Sequence, residues 1–99
     1  SAFDYPKNLG DFLKGDWTEK EFLDTLQQQV IAEDPENRVR VWETVRGIDR
    51  VLSTEDSLQE ALEIIREGYS PNDDTTQARA YDVIGRHIEK KILSLKKYN

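Results

Sequence analysis

The sequence predicts an all-α domain, a compact bundle of about four main helices preceded by a short N-terminal helix. Three observations carry this expectation. Apolar residues recur at steps of three and four along most of the chain, the period of one helix face. Helix-start patterns stand just ahead of these runs. Punctuation falls at Pro6, Gly10, Gly15, Pro35, Gly68 and Pro71, with helical periodicity between. The one alternating stretch, Arg38-Val39-Arg40-Val41, is too short to outweigh its helical surroundings.

The 99 residues are a single domain's worth of chain, with no repeat or linker to divide residues 1–99. Ser1-Ala2, lacking an initiating Met, reads as a cloning remnant outside the fold. Residues 3–15 form an N-terminal arm and a short helix. Phe3-Asp4-Tyr5-Pro6 is expected to be extended, its aromatics covering an edge of the core. Asn8 to Leu13 makes the short helix, ended at Gly15.

The first main helix starts at Thr18. Thr18-Glu19-Lys20-Glu21 has capping-box spacing, in which each outer side chain satisfies the other residue's free backbone N–H. Trp17 and Phe22 hold the positions of a hydrophobic staple, and Phe22, Leu23, Leu26 and Val30 continue one apolar face to about Ala32. Asp34-Pro35 is expected to open the second helix, Asp34 as N-cap and Pro35 at the first helical position. Val41, Trp42, Val45, Ile48 and Leu52 follow as its apolar face. Gly47 inside that helix costs about 1 kcal/mol relative to Ala, which points to close packing there.

Ser53 or Thr54 caps the third helix, with Glu55 and Asp56 complementing its dipole and Leu58, Ala61, Leu62 and Ile65 facing the core. Gly68 stands where a left-handed residue often ends a helix. Tyr69 to Asp73 is a loop. The last helix runs from about Thr75 to Lys96, with Tyr81, Ile84, Ile88, Ile92 and Leu95 as the cleanest apolar stripe in the chain.

Composition excludes several functions. Twenty acidic residues against 14 basic leave a net charge of −6, which disfavours phosphate contacts to nucleic acid and docking on an anionic membrane. No Cys is present, so there is no disulfide, thiolate metal site or cysteine nucleophile. Apolar runs of about three residues provide neither a membrane span nor a signal-peptide core. His87 is the only histidine and lies beside the Ile88 stripe, the place of a partly exposed structural or interface residue. His87 and Glu89, two apart, face different ways on a helix. Asn72-Asp73-Asp74 lacks the rest of a calcium loop, and no phosphate-binding glycine loop or His-Glu-x-x-His occurs. Neither a catalytic set, a cofactor nor a metal is expected.

Charge placement is more informative. From Asp49 to Asp74 eight acids face only Arg50 and Arg66, whereas Arg86 to Lys97 holds five basic residues and one Glu. The basic end complements a helix dipole. Asp56, Glu60, Glu63 and Glu67 fall at steps of four, three and four, aligned on one face where each pair repels by a few tenths of a kcal/mol. Such a face is either simply solvated or matched to a positive partner. Asp73 and Asp74 extend the acidic segment, and Tyr69 stands between its parts. Tyr69 either anchors an interface or folds inward to seal the helix end.

Gly15-Asp16-Trp17-Thr18-Glu19-Lys20-Glu21-Phe22 resembles the opening of the first helix in colicin-type bacterial immunity proteins, which often read Asp-Tyr-Thr-Glu-x-Glu-Phe. Tyr69-Ser70-Pro71, followed by acids and another helix, is similar to their Tyr-Tyr-Pro segment, with Ser70 in place of the second tyrosine. The layout also looks like that of small helical immunity proteins against contact-dependent inhibition toxins. What the resemblance implies is a non-catalytic, bacterial cytoplasmic protein that neutralises a cognate toxin domain, a basic nuclease; the sequence leaves the oligomeric state open, with a monomer favoured. Of the tyrosine motif only Tyr69 carries over. The expected partner-binding residues are Asp56, Glu60, Glu63, Glu67, Tyr69, Asp73 and Asp74. The competing expectation is a small acidic regulatory or adaptor module for a cellular protein.

Overall fold

A computed structural model describes residues 17–31, 40–68 and 76–97. They form four helices: α1 Glu19–Ile31, α2 Val41–Val51, α3 Glu55–Glu67 and α4 Thr76–Lys97. No strand occurs among the described residues, and the fold is the all-α helical bundle that the periodicity predicts. The N-terminal arm, the Asn8–Leu13 helix, the Asp34-Pro35 start, and Tyr69, Asp73 and Asp74 lie outside the described residues.

Each helix begins for a local reason. At α1, Thr18 N–H donates to Glu21 Oε1 at 3.0 Å and Glu21 N–H to Thr18 Oγ1 at 3.2 Å, closing the capping box. Trp17 packs against the core that Phe22 enters, as a staple requires. At α3 the cap is Thr54, whose Oγ1 accepts from Ser57 N–H at 3.1 Å. Ser53 is instead held by α1: Glu19 Oε1 accepts from its N–H at 2.9 Å and its hydroxyl at 3.1 Å.

The second helix corrects the expectation. It begins at Val41, and Arg40 is extended at φ −95° and ψ 116°, so Val41 to Leu52 do not continue a helix from Pro35. Arg40 takes the extended conformation usual for a residue in the N-cap position, and helical geometry starts at the next residue. Arg40 has no side-chain cap bond, and Thr44 turns its hydroxyl back to the Arg40 carbonyl at 2.7 Å. Trp42, expected in the apolar face, is 76% exposed, because Thr44, Gly47 and Ile48 take the core side.

The core joins all four helices. Phe22 and Leu26 of α1, Ile48 of α2, Leu58 and Ile65 of α3, and Ile84 and Ile88 of α4 are wholly or almost wholly buried. α3 packs most extensively on α4 and next on α1, while α2 closes against α4. The buried hydroxyls of Thr25, Thr44 and Ser57 all donate to carbonyls of their own helical turn, so none is left unpaired.

Two glycines are required by proximity. A Cβ on Gly47 would stand 2.5 Å from Phe22 Cε2, so α1 and α2 cross at contact there. Gly68 ends α3 at φ −83° and ψ −8°, not in the left-handed conformation expected from sequence. Its need is spatial: a Cβ would collide with Val30 Cγ1 and reach 3.1 Å from Tyr81 Cε2. Tyr81 closes the same corner by donating its hydroxyl to the Val30 carbonyl at 3.2 Å.

Candidate functional site

The register set by the Thr54 cap decides where the acids of α3 point. Leu58, Ala61, Leu62, Ile64 and Ile65 face inward, leaving Asp56, Glu60, Glu63 and Glu67 exposed on the outer side. Neighbours on this stripe are about one turn apart, roughly 5–6 Å. None of the four makes an ion pair among the described residues.

Of the other acids in the segment, the two among the described residues, Asp49 and Glu55, are engaged. Glu55 meets Lys96 of α4 at 3.3 Å. Asp49 accepts from His87 Nε2 at 2.7 Å and Lys91 Nζ at 3.4 Å, and Lys91 also reaches the Ile48 carbonyl at 3.3 Å. The end of α2 is thereby clasped to α4, with His87 half-buried in the clasp. Arg66, the one base of α3, turns to Glu89 at 2.8 Å. The segment therefore divides: Asp49 and Glu55 hold helices together, while the 56–67 acids remain free of such bonds.

α1 adds charge that sequence reasoning missed. A groove between α1 and α3, of about 420 Å³, is lined by Glu19, Lys20, Asp24, Asp56 and Glu60 over a floor that includes Leu23 and Ser57. Four carboxylates and one lysine thus line the groove. Glu19 and Asp24 could have been found by their places off the apolar face of α1, but only tertiary packing sets them beside α3. Hydrogen bonds, first from the Ser53 backbone N–H and also from its hydroxyl, hold the Glu19 carboxyl below its ordinary range despite some desolvation. It is therefore charged wherever ordinary glutamates are.

A concentrated anionic face of this kind attracts cations and basic surfaces through a field that reaches about one Debye length, roughly 8 Å at physiological salt. Among the described residues no group of three or more His, Asp or Glu is arranged to hold a metal ion, and no helix is long and apolar enough to cross a membrane. Compared with known proteins, the chain matches no family model, no curated protein and no solved structure.

Proposed function

We propose that the chain is a stoichiometric inhibitor of the immunity-protein type, which binds a basic bacterial toxin domain, a nuclease, through the outer face of α3 and the α1 edge beside it. The observation that supports this reading most is the stripe of Asp56, Glu60, Glu63 and Glu67, exposed, aligned and without ion pairs among the described residues. Maintaining it costs mutual repulsion, which a basic partner offsets. The resemblance of Gly15–Phe22 and Tyr69-Ser70-Pro71 to colicin-type immunity proteins agrees with the same reading.

The mechanism requires no chemistry from the inhibitor. Its carboxylates stand in for the phosphates of the toxin's substrate and accelerate encounter. Tyr69, the residue after the α3 C-cap, anchors the complex and slows dissociation, with Asp73 and Asp74 widening the anionic area. Glu19 and Asp24 join the face from α1.

The test is co-expression with the toxin domain encoded beside the chain's own gene, followed by association kinetics with the purified proteins. The wild type is expected to restore growth. Glu60→Lys/Glu63→Lys is expected to fold but to associate at least about tenfold more slowly at low salt, the difference closing as salt rises. An association rate unchanged at every salt concentration removes the steering role. Failure to protect any cell, with the fold intact, favours the adaptor reading.

A further inference from the structure

α4 has two faces, and only one enters the core. Tyr81, Ile84, Ile88 and Ile92 are buried. Opposite them Val83, Arg86, Lys90, Leu93 and Lys97 stand at steps of three, four, three and four, all exposed. At 100° per residue they fit within about 80° of the helix circumference. Val83 and Leu93 are 50% and 67% exposed, apolar side chains set inside a basic stripe. Lys90 and Lys97 make no ion pair among the described residues, and Arg86 reaches only back along its own helix to Asp82 at 3.2 Å. Spacing of this kind is what a helix presents to another helix.

The matching surface is on the same molecule. α3 lies against α4, and its outer acids stand at steps of four, three and four. The pairs Arg66–Glu89 and Glu55–Lys96 show the two helices running antiparallel. An acidic ridge and a basic, partly apolar ridge therefore run side by side.

The geometry points to a symmetric dimer in which the α3 stripe of one copy lies on the α4 stripe of a second, with the reciprocal contact made at once. A two-fold interface uses the same patch on both copies and so has to be self-complementary. Here Asp56, Glu60, Glu63 and Glu67 face Arg86, Lys90 and Lys97, and the contact covers Val83 and Leu93. The seam is largely charged and solvent-accessible, so the dimer is weak and salt-sensitive. It also hides the acidic stripe, making the monomer the form open to a basic partner. This inference does not rest on the toxin reading, since self-association is measured without any toxin.

Sedimentation equilibrium of the purified chain tests it. The wild type is expected to dimerise with Kd in the range of tens to hundreds of micromolar at about 20 mM NaCl, weakening at least about tenfold by about 500 mM. Glu60→Lys/Glu63→Lys and Lys90→Glu/Lys97→Glu are each expected to be monomeric with unchanged circular dichroism. Mixed, they are expected to form a heterodimer, because the unaltered basic α4 stripe of one meets the unaltered acidic α3 stripe of the other, and in the reciprocal contact the two charge reversals again bring opposite charges together. A wild type that stays monomeric at about 1 mM in low salt overturns the proposal, and so does a mixture that fails to associate. Binding of a monomeric wild type to phosphatidylserine vesicles, lost in Lys90→Glu/Lys97→Glu, also overturns it and assigns the α4 stripe to a lipid surface.

Discussion

Gly47→Ala and Gly85→Ala make the same chemical change in two helices, and the structure gives them opposite signs. Each replaces glycine in a helix interior, a gain of about 1 kcal/mol from propensity alone. At Gly47 the new methyl would stand 2.5 Å from Phe22 Cε2 and 3.1 Å from its Cζ. Phe22 is fully buried, so its ring has no solvent-side space to yield into. Overpacking of this sort costs about 1–3 kcal/mol, which exceeds the propensity gain over most of that range. Net destabilisation of about 1 kcal/mol is expected, a fall in Tm of roughly 4–8 °C for a domain this size. At Gly85 the nearest atoms are Leu62 Cδ1 and Ile65 Cγ2, at 3.8 and 3.9 Å, ordinary contact distances. There the propensity gain survives, and stability rises by about 0.5–1 kcal/mol. Urea titration of both variants with a common slope gives the two values. The reasoning fails if Gly47→Ala is as stable as Gly85→Ala. It gains a further check from Phe22→Leu, in whose background Gly47→Ala becomes less costly because the ring is gone.

Gly68→Ala separates steric from conformational need: the backbone there is right-handed, so only the collision with Val30 and the approach to Tyr81 oppose a methyl. A loss of about 1–3 kcal/mol is expected by thermal or urea unfolding, and a neutral outcome would show that the α1–α3–α4 corner yields freely. Glu19 gives a pH dependence. Its folded-state pKa is lowered, so its contribution is complete above the unfolded pKa and is lost as pH falls through the folded one. Glu19→Gln is expected to flatten stability against pH below about pH 5, by less than about 1 kcal/mol because the carboxyl is largely solvated. Identical acid unfolding of the variant and the wild type would contradict this.

The helices were legible in the sequence wherever a local device specified them. The Thr18–Glu21 box, the Thr54 cap and the isoleucine stripe of α4 each act through backbone or nearest-turn contacts, so spacing alone reveals them. Trp42 was misread because apolar character gave it a core place, whereas the start at Val41 turns it outward. Gly68 was misread because two different needs, a positive φ and the absence of a Cβ, select the same residue. The α3 part of the acidic stripe was legible because one helix carries it. Glu19 and Asp24 were not, since their nearness to Asp56 and Glu60 depends on how α1 lies across α3, a long-range choice made by Phe22, Leu26 and Leu58. The exposed α4 stripe also needed the structure, because helical spacing alone does not distinguish a wetted apolar residue from a covered one.

The Glu19 carboxylate has two duties: it borders the anionic groove, and it holds the Ser53 amide at the corner between α2 and α3. Protonating that carboxyl weakens the acceptor of the Ser53 amide, so the deuterium exchange rate of this one main-chain hydrogen, two residues before α3, reports the charge state of the groove's rim.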